Sequence, residues 1–129
     1  MPPQMKASTP PRTLGSILRL GGYLIASLHA GLDDGQLTAF RREIVDEVGR
    51  RETCGVVIDL AAVDVLDSFA CFAVRQITQM VGLRGADTVV VGLAPDVAIA
   101  MVKLGVDLGN AHTAADVDEG LRVLRIHPP

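Results

Sequence analysis

Two apolar runs, Gly55-Val56-Val57-Ile58-Asp59-Leu60 and Thr88-Val89-Val90-Val91-Gly92-Leu93, constrain this chain more than any other feature. Neither alternates apolar with polar residues, as a strand with one wet face does. Each therefore reads as a strand covered on both faces. Segments of helical periodicity lie around them. Leu37, Phe40, Ile44 and Val48 recur at helical spacing, so a helix beginning at Asp33-Asp34 has one buried stripe. Phe69, Ala73, Ile77, Met80 and Val81 give the buried face of a second helix, from about residue 69 to 83. Strands alternating with helices in this way specify an α/β fold with a largely parallel sheet.

The flanking segments extend the pattern. Residues 16–20 and 23–28 read as two strands joined by Gly21-Gly22, a hairpin turn with positive φ expected at both glycines. Gly49 reads as the stop of the first helix. Pro95 suits a first helical position and opens a helix over residues 96–104, which Gly105 ends. A weak strand around 111–113 and a helix capped by Asp116 follow, and His127-Pro128-Pro129 cannot continue that helix. The expectation is a single α/β domain over residues 14–126, with an N-terminal hairpin. Its mixed, mostly parallel sheet would have about four or five strands, with about four helices. Residues 1–13 hold four of the seven prolines and read as a disordered leader.

Composition narrows the function. A chain of 129 residues supports one domain with a real core. With aromatics at 3% and no tryptophan, that core must come from Val, Leu, Ile, Ala and Met. Twelve basic against 15 acidic residues, a net charge of −3, argue against a nucleic-acid partner. Arg41-Arg42 and Arg50-Arg51 alternate with Glu43, Asp46, Glu47 and Glu52, which describes a solvated face. Cys54 and Cys71 fit no metal motif, and His29, His112 and His127 are scattered, so no metal or cofactor is expected. Neither a secretion signal nor a membrane-spanning run is apparent, and a cytoplasmic chain with reduced thiols is expected.

No phosphate-binding Gly-x-x-x-x-Gly-Lys loop, dinucleotide fingerprint or nucleophile elbow is present, and no enzyme active site is expected. Attention falls instead on residues 64–68. Ligands and partners of open α/β sheets meet the carboxyl ends of the strands, and Ser68 lies at such an end, at or beside a helix N-terminus. Unpaired N–H groups and the helix dipole tolerate an anion there. Ser68 thus reads either as a helix cap or as a phosphorylation site, and local features do not separate the two. Asp59, Asp64 and Asp67 gather near the same strand end, as in a phospho-accepting receiver. Lys103, however, falls in a helix rather than on a late strand, and Asp67 can serve as a cap. Phe69 and Phe72 flank the serine, and Phe69 is expected to pack into the core with Ala73.

Val57-Ile58-Asp59-Leu60, Val63-Asp64-Val65-Leu66-Asp67-Ser68 and Val90-Val91-Gly92-Leu93-Ala94-Pro95-Asp96-Val97-Ala98 resemble STAS domains, the domains of anti-sigma-factor antagonists. The resemblance runs from Ile17 to Leu124 in the family's order of elements. Asp67-Ser68-Phe69, Leu83-Arg84-Gly85-Ala86, Leu104-Gly105-Val106-Asp107-Leu108 and His112-Thr113-Ala114 are similar to its S-type, stressosome-scaffold branch. Simple antagonists read Asp-Ser-Ser/Thr-Gly at the switch, where Phe69-Ala70 stands here. R-type paralogues have a threonine at the switch, a long sensor domain, and a further threonine in a region that here reads Ile99-Ala100-Met101.

The resemblance implies a non-enzymatic scaffold. Together with R-type STAS paralogues and further copies of itself, it would form a large core that holds a serine/threonine switch kinase. Phosphorylation of Ser68, in a switch loop with Asp64, Asp67 and Phe69, would release that kinase into a general stress response. A metal-dependent serine phosphatase would reset the switch. The alternative is a simple anti-sigma-factor antagonist that binds one anti-sigma kinase. Neither nucleic acid nor membrane is implied as a partner.

Overall fold

The computed structural model describes residues 15–64, 67–105 and 107–126. The proline-rich segment 1–13, Val65-Leu66 and the closing residues 127–129 lie outside the described residues. In chain order the elements are β1 (Gly15–Leu20), β2 (Tyr23–Leu28), α1 (Asp34–Arg50), β3 (Gly55–Asp59), α2 (Ser68–Gly82), β4 (Asp87–Val91), α3 (Pro95–Leu104), β5 (His112–Ala114) and α4 (Val117–Ile126). The strands form one five-stranded sheet in sequential order. β1 is antiparallel to β2, and every later pairing is parallel. The mixed sheet, hairpin and four helices expected from the sequence are all present.

Topology decides where the helices go. Parallel neighbours need a crossover, and crossovers of this kind are right-handed. Because the strand order never reverses, α1, α2 and α3 all fall on one face of the sheet. That face holds the larger core, where Leu24, Ala26, Val56, Ile58 and Val90 meet Phe40, Ile44 and Ile77. On the other face α4 is the one helix among the described residues, with Leu121 and Leu124 packed against Val57, Val89 and Val91. β3 and β4 are thus covered on both sides, and Val56, Val57, Ile58, Val89, Val90 and Val91 are fully buried. Their continuous apolar sequence has this cause.

Three local expectations are corrected. Gly49 does not stop α1, which continues to Arg50. A Cβ on Gly49 would lie 3.0–3.1 Å from the Arg84 guanidinium, so the glycine makes room for that arginine. In the β1–β2 turn only Gly21 takes positive φ (59°), and Gly22 instead avoids a close approach to the Cys54 sulfur. Met80 is 39% exposed. The buried stripe of α2 runs through Ala70, Ala73, Val74, Ile77, Thr78 and Val81, one step of rotation away from Met80. Thr78 is tolerated on that stripe because its hydroxyl donates to the Val74 carbonyl at 3.1 Å.

Candidate functional site: the loop that presents Ser68

The loop between β3 and α2 is built by short-range hydrogen bonds. The Asp59 carboxylate accepts the Ala61 N–H at 2.9 Å and turns the chain over the strand end. Leu60 N–H donates to the Val91 carbonyl (2.9 Å), and Val63 N–H to the Leu60 carbonyl (3.0 Å). Buried Leu60 and Val63 anchor the turn in the core. Gly92 leaves β4 directly beside it with φ 75°, and a Cβ there would stand 2.9 Å from the Ala61 nitrogen. Asp64 is exposed at the far side of this turn.

Asp67 has extended backbone (φ −78°, ψ 176°) and is the N-cap of α2. Its Oδ1 accepts the Ala70 N–H at 2.8 Å, and its carbonyl accepts the Cys71 N–H at 3.0 Å. Ser68 is therefore not the cap. It is the first residue of α2, exposed, at the carboxyl end of the sheet. Helix geometry leaves the Ser68 and Phe69 N–H groups without intrahelical acceptors, beside the positive end of the helix dipole. An anion attached to the Ser68 oxygen would meet those groups without disturbing the cap.

The sequence-derived site residues gather here in part. Asp64 and Asp67 line a groove of about 320 Å³, whose apolar floor includes Leu28, Leu37, Val63 and Ala70. Phe69 is half-buried and packs against the main core, whereas Phe72 is 51% exposed one turn further on. His29, which also lines the groove, was not among the residues singled out from the sequence. Its place at the end of β2, beside the end of β3, was the available signal. Lys103 lies in the last turn of α3, away from these carboxylates, so no receiver-like arrangement is assembled. Below Asp67, burial and then the charge of Asp67 push the thiol of fully buried Cys71 above its ordinary range. No described helix is long and apolar enough to cross a membrane.

Comparison with known proteins agrees with this geometry. The STAS domain model matches residues 16–120. The RsbT co-antagonist protein RsbRD of Bacillus subtilis (strain 168) is 21% identical over 100 residues, covering 78% of this chain and 36% of that protein. The chain thus spans about a third of the length of the curated relatives it matches, RsbRD and RsbRA. A Moorella thermoacetica RsbS carrying a serine-to-glutamate substitution is 28% identical, with a TM-score of 0.79 over 88% of this chain and 97% of that one. A chain from a structure of the stressosome, described as a signal integration and transduction hub, is also 28% identical. It gives a TM-score of 0.70 over 86% of this chain and 96% of that one. The resemblance read from the sequence is borne out: this chain belongs to the STAS-domain family, and its likeness is to stressosome and anti-sigma-factor-antagonist members.

Proposed function

We propose that the chain is a non-enzymatic, cytoplasmic stressosome scaffold and anti-sigma-factor antagonist. It holds a serine/threonine switch kinase and releases it when Ser68 is phosphorylated. R-type STAS paralogues and further copies of this chain are its assembly partners, and a metal-dependent serine phosphatase restores the hydroxyl. The observation that carries this reading is the position of Ser68, exposed at the first position of α2 while Asp67 alone supplies the cap. The likeness to RsbS and to a stressosome chain supports it.

In the chemical step, the Ser68 hydroxyl attacks the γ-phosphorus of ATP, ADP departs, and the hydroxyl proton passes to a base of the kinase. The product carries close to two negative charges at neutral pH. Next to exposed Asp64 and Asp67, this phosphate repels any partner surface that accepted a neutral hydroxyl. The Ser68 and Phe69 N–H groups accommodate it, so binding changes more than folding does.

The test is intact-mass measurement after incubation with the candidate switch kinase and ATP, followed by fragmentation mapping. One phosphate confined to Ser68, with the kinase released, is the expected result. Phosphate elsewhere, or release from Ser68→Ala under the same conditions, would overturn the proposal.

A further inference from the structure

α3 is not built like a helix with one wet face. Of its ten residues only Asp96 and Lys103 are charged. It buries Val97 and Met101 against the core, yet leaves Ile99, Val102 and Leu104 exposed, Val102 at 79%. A helix that is apolar all round is ordinarily covered all round. α1 and α4 differ in this respect, since neither exposes a large apolar side chain among the described residues.

α2 continues this surface. It packs beside α3 on the same face of the sheet, and its Arg75 reaches Asp107, just past α3, at 3.6 Å. The buried stripe through Ala70, Ala73, Val74, Ile77 and Val81 leaves Ser68 and Phe72 on the solvent side of α2. Four residues apart, these two stack on one line of the helix, with Cβ atoms about 5–6 Å apart. A protein surface that takes up the Ser68 hydroxyl therefore covers Phe72 as well. Exposed apolar patches with a polar rim mark sites of protein contact, and aromatic side chains are enriched in such contacts.

We propose that the outer face of α2 and α3, with Phe72, Ile99 and Val102 as its apolar anchors, is the surface on which the switch kinase docks. The inference rests on the reading of Ser68 as the switch and names the contact that the switch controls. The kinase surface that fits is apolar, and its affinity comes from residues the phosphoryl transfer does not use. Phosphate acts on this contact directly. On Ser68, one turn from Phe72, it sets close to two negative charges at the rim of an apolar interface, where removing them from water is costly. Release then follows from loss of the apolar contact as well as from the acidic neighbours.

Titration calorimetry of the full chain with the candidate switch kinase and a non-hydrolysable ATP analogue tests it, together with initial rates of Ser68 phosphorylation in ATP. Ile99→Glu, Val102→Glu and Phe72→Ala are each expected to weaken binding by about tenfold or more. The two α3 variants, remote from the reacting hydroxyl, should raise KM for the chain without lowering kcat, the signature of lost docking. All three should keep the wild-type circular dichroism and sedimentation, and Leu18→Glu, exposed on β1, should bind as the wild type does. Folded variants that bind the kinase with wild-type affinity, or that lose self-association instead, would overturn the docking surface and leave the Ser68 switch standing. A wild type that binds no kinase would overturn both.

Discussion

The Asp67 carboxylate accepts the Ala70 N–H at 2.8 Å, from the position immediately before Ser68. One residue closes the helix end, and its neighbour is an exposed first helical residue that does not serve as the cap. This division of labour predicts unequal costs. Asp67→Ala should lower the unfolding free energy by about 1 kcal/mol, with Asp67→Asn keeping most of it. Ser68→Ala should cost less than about 0.5 kcal/mol. Urea denaturation of the three variants measures this, and a larger loss for Ser68→Ala would mean that the serine is structural.

Gly92 and Gly105 both take positive φ, 75° and 68°, but their surroundings differ. A Cβ at Gly92 would press on the Ala61 backbone at 2.9 Å, whereas one at Gly105 meets nothing within 4 Å. Gly105→Ala should cost about 1 kcal/mol, from backbone conformation alone. Gly92→Ala should cost more than about 2 kcal/mol and disturb amide resonances of the loop before α2. Equal costs would contradict the close approach.

Arg19 ties the hairpin to the end of α1. Its guanidinium donates to the Glu47 carboxylate (3.2 Å), the Glu47 carbonyl (3.1 Å) and the Thr53 hydroxyl (3.0 Å). With a side chain only 13% exposed, the arginine leaves several partners unsatisfied when removed. Arg19→Ala should destabilise the domain by about 2 kcal/mol and speed amide exchange in β1 first. Uniform acceleration across the sheet would argue against a local tie.

Burial, and then the charge of Asp67, raise the Cys71 thiol above its ordinary value. The unfolded chain therefore loses this proton at lower pH than the folded one. The thiol's contribution is complete below the unfolded value of 9.0 and is lost as pH climbs through the raised folded value. Within that window the slope can reach about 1.4 kcal/mol per pH unit. Cys71→Ala should lose less stability than the wild type between about pH 8 and about pH 10. Native alkylation should modify exposed Cys54 and spare Cys71. Equal pH-dependent losses in the two proteins would refute the linkage.

Much of the fold was legible because its local signals agree. The α1 stripe of Leu37, Phe40, Ile44 and Val48 is the buried set of that helix. Pro95 and Gly105 bound α3 as their backbone preferences require. The continuous apolar runs at β3 and β4 demand two covered faces, and the sheet supplies them. The family was legible too, through the residues from Val57 to Ala98 that resemble STAS domains, and the family match over residues 16–120 agrees.

What the sequence by itself determined was the order and type of the elements, since helical and strand periods are local properties of side-chain spacing. It left Ser68 suspended between cap and modification site, because serine and aspartate are comparable N-caps. Only the tertiary structure decided which residue is the cap, by fixing the helix start at Ser68 and turning the Asp67 carboxylate onto the Ala70 N–H. It also decided that Gly49 makes room for Arg84, and that His29 shares a groove with Asp64 and Asp67. The last two relations join residues distant along the chain. They follow from the parallel order of the strands, which sets one end of every crossover beside the next.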